Sequence, residues 1–142
     1  MHLDTLRAIL KQKGYSLTKP RKSVFELLLN HEPQSIAELI ARSGTKIDRA
    51  TVYRTVELFE KLGIVHRVNA GWKYKLELSE AFNDHHHHMH CTNCGRTFEL
   101  PANTMLETMI DTTAAKENFM PRAHQLEIYG LCPDCQKAGT MA

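Results

Sequence analysis

Four cysteines in two identical pairs, Cys91-x-x-Cys94 and Cys132-x-x-Cys135, with 37 residues between the pairs, constrain this 142-residue chain more than any other feature. Each pair can set two thiolates on one side of a turn. Together the pairs complete a tetrahedral four-sulfur zinc site that ties two distant segments together. A redox C-x-x-C needs only one pair, and disulfides are disfavoured in the reducing cytoplasm, which is where a chain lacking an apolar leader is expected to work. With four thiolates engaged and no position open to water, such a zinc folds its surroundings and catalyses nothing.

The run Asp84-His85-His86-His87-His88-Met89-His90 leads directly into Cys91, an internal position unlike that of a purification tag. On a strand, successive side chains alternate faces, so His85 and His87 point one way while His86, His88 and His90 point the other. One segment can therefore seed two metal sites. Glu107, on a predicted helix, and His124, at the start of a predicted strand, fit one site with His85 and His87. For the other face the candidates are Glu77, Glu99 and a histidine from the first half of the chain, His31 or His66. Nitrogen and oxygen ligands without cysteine suit Fe2+, Mn2+ or Zn2+.

Charge divides the chain near Ser79. Residues 1–78 hold 14 Lys and Arg against 8 Asp and Glu, a net of +6, while residues 79–142 hold 4 against 8, a net of −4. All four cysteines lie in the acidic half. No stretch approaches the roughly 18–20 apolar residues that a bilayer span needs, so no membrane role is expected.

In the basic half, helix signals recur. Leu3, Leu6, Ile9 and Leu10 precede Gly14; Thr18 caps a segment with Pro20 in its first turn and Val24, Phe25, Leu28 and Leu29 as its apolar stripe. Ser35 and Glu38 form a capping box before Ile36, Leu39 and Ile40, with Gly44 beyond. Asp48 caps a fourth helix running to Leu62 and Gly63. Strands at 64–68 and 72–78 flank Asn69-Ala70-Gly71 as a hairpin. Helices followed by a hairpin spell a winged helix-turn-helix.

The fourth helix presents Arg49, Thr51, Tyr53 and Arg54, residue types that read base edges and thymine methyls in a major groove. Lys19, Arg21, Lys22, Lys73 and Lys75 are candidates for phosphate contacts. The acidic half reads as α+β: a strand through the histidines, a strand at 96–100, a helix at 105–115 with Met105, Leu106, Met109 and Ile110 as its apolar stripe, and a strand at 123–131. About 60 residues is close to the lower limit for an independent core, so a metal, a partner subunit or both are expected to support it.

With these residues in place, the chain resembles the ferric uptake regulator family. The resemblance is carried by Leu17-Thr18-Lys19-Pro20-Arg21, Arg49-Ala50-Thr51-Val52-Tyr53-Arg54-Thr55-Val56, Leu62-Gly63-Ile64-Val65, the histidine run opening onto Cys91-Thr92-Asn93-Cys94-Gly95, and His124-Gln125-Leu126-Glu127-Ile128-Tyr129-Gly130 before Cys132. It implies a homodimeric, metal-dependent repressor that binds palindromic double-stranded operator DNA. The fold implied is a winged-helix domain at 1–78, a hinge linker at 79–84 and a small α+β dimerisation domain at 85–142.

The resemblance further implies that Ala50 to Arg54 read DNA and that His85, His87, Glu107 and His124 form a dimerisation-domain metal site. Glu77, His86, His88 and Glu99 form the hinge regulatory site, and the four cysteines hold structural zinc. Where many members supply a histidine two residues ahead of Ser35, this chain has Pro33, which leaves His31 or His66 as the substitute. The peroxide- and zinc-sensing branches of the family are alternatives. A zinc-dependent hydrolase is the rival of another class, with no H-E-x-x-H helix to support it.

Overall fold

The computed structural model describes residues 1–71 and 73–139. It divides into two compact units, the first Met1–Asp84 and the second beginning at His85.

The first unit runs α1 (His2–Gln12), α2 (Lys19–Leu28), α3 (Ile36–Ser43), α4 (Arg49–Lys61), β1 (Val65–Ala70) and β2 (Lys73–Leu78). Three helices start where the sequence predicts. The Thr18, Ser35 and Asp48 side chains accept from the backbone N–H of Arg21, Glu38 and Thr51 at 3.3, 3.1 and 2.7 Å, satisfying donors that have no partner within their own helix. Gly63, at φ 71°, ends α4, and the reversal lets Ile64 N–H return to the Phe59 carbonyl at 2.8 Å.

The apolar stripes meet in one core of Leu6, Leu10, Val24, Phe25, Leu39, Val52, Phe59, Ile64 and Leu76, each at most 1 % exposed. Burial of one such side chain contributes about 1.5–3 kcal/mol. Ser35→Ala removes a cap and leaves this core intact. We expect a loss of about 1 kcal/mol, read as a fall of roughly 4–8 °C in the thermal midpoint of this unit; an unchanged midpoint would contradict the cap's role.

β1 and β2 pair antiparallel from Val65↔Leu78 to Ala70↔Lys73. Asn69 and Ala70, expected in the turn, belong to the ladder instead, because Gly71 at φ 83° allows a tighter reversal. Trp72, expected to open the second strand, lies outside the described residues. Gln34 adds a bridge that the sequence did not announce. Its backbone exchanges hydrogen bonds with Leu76 at 3.0 and 2.6 Å, and its side chain donates to the Leu27 carbonyl at 2.9 Å, which anchors the hairpin to the helices.

Residues 79–83, read from sequence as part of a polar link, are held to the first unit. Ser79 N–H donates to the Ile64 carbonyl at 2.9 Å, and buried Phe82 meets Phe25 edge-on at 4.9 Å between ring centroids.

The second unit contains β3 (His86–Cys91), β4 (Thr97–Pro101), α5 (Thr104–Lys116), β5 (Glu127–Gly130) and α6 (Pro133–Lys137). The sheet order is β4-β3-β5, with β4 antiparallel and β5 parallel to the central histidine strand. The last strand is shorter than the predicted 123–131. Its ladder begins at His88↔Glu127, and the chain before it leaves the sheet to carry His124 to Glu107 on α5.

The buried cluster of this unit is Cys91, Cys132 and Cys135, with Phe98 and Leu131 packed against it. The helix stripe expected to be buried is not: α5 has no buried residue, and Met105 and Met109 are 76 % and 64 % exposed. Leu106, Met109, Ile110 and Phe119 instead line an open apolar groove, a surface that one copy of the chain leaves uncovered. Among the described residues no helix is long and apolar enough to cross a membrane.

Candidate metal centres and nucleic-acid interface

The turn after β3 and the N-terminus of α6 bring the two cysteine pairs together. All four Sγ atoms lie within 4.8 Å of one another, and Cys94 and Cys132 Sγ are 3.8 Å apart. That separation is far beyond a disulfide. It matches the edge of a zinc tetrahedron, about 3.8 Å for Zn–S bonds of about 2.3 Å.

Backbone N–H groups of Cys94 and Cys132 point at Cys91 Sγ at 3.5 and 3.4 Å and lower its thiol to about 6. Cys135 goes the other way. The Asn93 amide, the largest single influence, favours its thiolate, but burial and the sulfurs of Cys132, Cys91 and Cys94 outweigh it and raise Cys135 to about 11. Four thiolates this close would repel one another unless a cation neutralised them, and the donor set fits structural zinc.

The second set forms on one face of the histidine segment. Glu107 Oε1 is 2.6 Å from His87 Nε2, and its Oε2 is 3.2 Å from His85 Nε2 and 2.7 Å from His124 Nε2. The His85 and His124 Nε2 atoms are themselves 3.1 Å apart, close to the roughly 3.3 Å between two nitrogens on one tetrahedral zinc. Burial, the largest influence on Glu107, works against its charge, yet His87, His85 and His124 together hold its carboxyl below the usual range. All four residues predicted for this site are brought together, and three neutral imidazoles with one carboxylate fit a divalent cation.

The residues predicted for the hinge set are placed as follows. In the first unit, His66 Nε2 and Glu77 Oε1 are paired across the hairpin at 2.8 Å. His31 is exposed, with Nδ1 2.8 Å from the Glu32 carbonyl. In the second unit, His86 and His88 share a face of β3, their ring centroids 4.8 Å apart. Glu99 is the weak member: its side chain is 64 % exposed and 3.7 Å from His86 Nδ1. The carboxylate buried on this face is Glu127, with Oε2 3.3 Å from His88 Nδ1 and 2.9 Å from His90 Nε2. The sequence reading did not single out Glu127. The signal available was a carboxylate in the predicted last strand, three residues after His124.

α4 buries Val52, Thr55, Val56 and Phe59 and turns its other side outward. Arg49 and Arg54 are exposed, Thr51 is half-buried, and Tyr53 is 47 % exposed. Arg54 Nη2 lies 3.3 Å from Thr51 Oγ1, which keeps two predicted reading residues side by side. Lys19, Lys22 and Lys73 are exposed. Arg21 donates to the Ser16 carbonyl at 2.7 Å and lies over the Tyr15 ring, which braces the turn before α2. One predicted phosphate contact needs correction. Lys75 is buried within β2 at 5 % exposure, on the face opposite core Leu76 and Leu78 and shared with Glu77.

A winged helix with an outward basic helix, joined to a small sheet unit carrying a four-sulfur cluster and a three-histidine carboxylate set, defines the class of metal-dependent winged-helix regulators. The ferric uptake regulator family model matches residues 12–129, and the chain belongs to that family: it is a metal-responsive regulator and not an enzyme. The zinc-hydrolase alternative falls with that membership.

The ferric uptake regulation protein of Legionella pneumophila is 35 % identical over 133 residues, spanning 89 % of this chain and 96 % of that one. The crystal structure of the Vibrio cholerae ferric uptake regulator superimposes with a TM-score of 0.71 at 33 % identity, over 89 % of this chain and 98 % of that one. A zinc uptake regulator complexed with zinc and DNA is similar at a TM-score of 0.65 and 26 % identity, covering 96 % and 94 % of the two chains.

Proposed function

We propose that this protein is a cytoplasmic repressor that binds palindromic operator DNA as a homodimer when loaded with a divalent metal. The observation that carries the reading is the outward array of Arg49, Tyr53 and Arg54 on α4 in a chain that also holds a convergent set of nitrogen and oxygen ligands. The similar zinc uptake regulator complexed with zinc and DNA supports it.

In this reading the unit Met1–Asp84 binds DNA, the residues from 85 onward dimerise, and the hinge expected at 79–84 is confined to the junction at Asp84–His85, because 79–83 pack on the first unit. The uncovered apolar surface of α5, with Phe119 68 % exposed beside it, suits a second copy of the chain. Cys91, Cys94, Cys132 and Cys135 hold structural zinc. His85, His87, Glu107 and His124 hold a second ion within the dimerisation unit. His86 and His88, with Glu77 and His66, form the regulatory set. His66 is favoured over His31 because it already pairs with Glu77.

A regulatory ion acts only if it binds one arrangement of the two halves better than another, and ligands drawn from both halves meet that condition. The sensed metal is Fe2+, Mn2+ or Zn2+ by ligand chemistry.

The test is a gel shift on the protein's own promoter with and without Fe(II), Mn(II) or Zn(II). Operator affinity should rise about 5–150-fold with the cognate ion, the span of a coupling of about 1–3 kcal/mol. Equal affinity with every ion and with none would sink the repressor reading.

A further inference from the structure

The face of β3 that carries His88 also carries a buried chain of polar contacts that neither the four-sulfur cluster nor the Glu107 set uses. His88 and Glu127 are partners across the parallel β3–β5 ladder. Glu127 Oε2 lies 3.3 Å from His88 Nδ1 and 2.9 Å from His90 Nε2, and its side chain is nine-tenths buried. On its other side, His90 Nδ1 is 3.0 Å from Thr97 Oγ1, and its ring stacks on Tyr129 at 5.3 Å between centroids.

These contacts assign the protons. An ionised carboxylate oxygen can only accept, so His90 Nε2–H donates to Glu127, and the carboxylate 3.3 Å from His88 Nδ1 favours the tautomer with its proton there. His90 Nδ1 is then the acceptor for the Thr97 hydroxyl, which fixes its tautomer. In that tautomer the ring lone pair of His88 is the one on Nε2.

Glu127 Oε1 is buried and has no hydrogen-bond partner among the described residues. A buried carboxylate with one empty oxygen is costly unless positive charge lies close by. A divalent cation on His88 Nε2 supplies that charge through a single imidazole ring. Carboxylates placed in this way orient a ligating histidine and raise its basicity. Glu99, the other carboxylate opposite His88, is mostly exposed and lies nearer His86, so it does not do this for His88.

We infer that Glu127 and His90 are a positioning pair, through which Glu127 fixes Nε2 as the His88 atom offered to the regulatory cation and His90 holds Glu127 in place. This deepens the proposed function and rests on His88 being a ligand there.

The test uses the full chain with its cysteine-bound zinc retained, titrated with Zn(II) against a competing chelator. Long-range ¹H–¹⁵N spectra of the histidine rings are recorded alongside. Glu127→Gln should weaken the ion held by His88 about 10–100-fold, leave the zinc of the cysteines and the ion on the Glu107 set in place, and abolish the single Nδ1–H tautomer of His88. His90→Asn should act in the same direction with a smaller loss. Glu127→Asp, which keeps the charge, should restore much of the affinity.

If His88→Ala weakens the ion and Glu127→Gln does not, the positioning inference is wrong and the ligand reading stands. Zinc bound through His88 Nδ1 would overturn it as well. If His88→Ala has no effect, the ligand reading itself fails. Should Glu127→Gln not fold by circular dichroism, His90→Asn decides, since it leaves the carboxylate present.

Discussion

Cys132→Ser should leave the second unit unfolded and the protein monomeric, while the winged helix keeps its own thermal transition. The apolar support in this unit is small: among the described residues three cysteines are the buried cluster, and only Phe98 and Leu131 pack on it. A structural zinc contributes about 10–16 kcal/mol in small zinc-dependent folds, as much as the whole stability of an ordinary domain, about 5–15 kcal/mol. Loss of one thiolate opens the tetrahedron and exposes the remaining sulfurs to water.

Acid should act on the same site. Zinc holds its cysteines as thiolates, so protons compete with the ion for all four sulfurs, and zinc and the stability that it brings are lost together as pH falls. Circular dichroism with sedimentation and zinc analysis reads both effects. A serine variant that stays folded and dimeric without zinc would remove the structural role of the cluster.

The second large effect is expected on DNA. Tyr53→Ala with Arg54→Ala should abolish specific operator binding while zinc content and both thermal transitions stay unchanged. Both side chains lie on the solvent side of α4, away from Val52, Val56 and Phe59, so removing them takes nothing from the core. A base-reading arginine contributes about 1–3 kcal/mol of discrimination, and loss of the neighbouring tyrosine removes apolar contact at an adjacent base. Together they predict a fall of roughly a hundredfold or more in specific affinity, with salt-dependent non-specific binding largely kept by the lysines. Retained operator specificity in the double variant would show that α4 is not the reading helix.

Local chemistry was largely legible in the sequence. Thr18, Ser35 and Asp48 cap the helices they were expected to cap, because a cap depends on a side chain and a backbone N–H three residues away. The alternation of the histidine run predicted its two faces, because strand periodicity is a property of the backbone. The identical spacing of the cysteine pairs announced their meeting before any fold was known.

What failed were inferences that needed a neighbour. Met105 and Met109 have the spacing of a buried stripe, yet spacing does not say whether the covering surface belongs to the same chain. Lys75 was assigned to phosphate by its charge and is buried on the face of the hairpin that it shares with His66, Val68 and Glu77.

By itself, then, the sequence determined the elements, the winged helix and the types of ligand, since each depends on residue chemistry and on backbone periods of 3.6 and 2. The tertiary structure alone decided which carboxylate faces which histidine. Glu107 closes on three imidazoles from β3, its entry and the segment before β5, and Glu127 rather than Glu99 is buried against His88. The physical reason is that strand pairing sets those distances: the parallel register of β3 with β5 brings together His88 and Glu127, residues far apart in the chain.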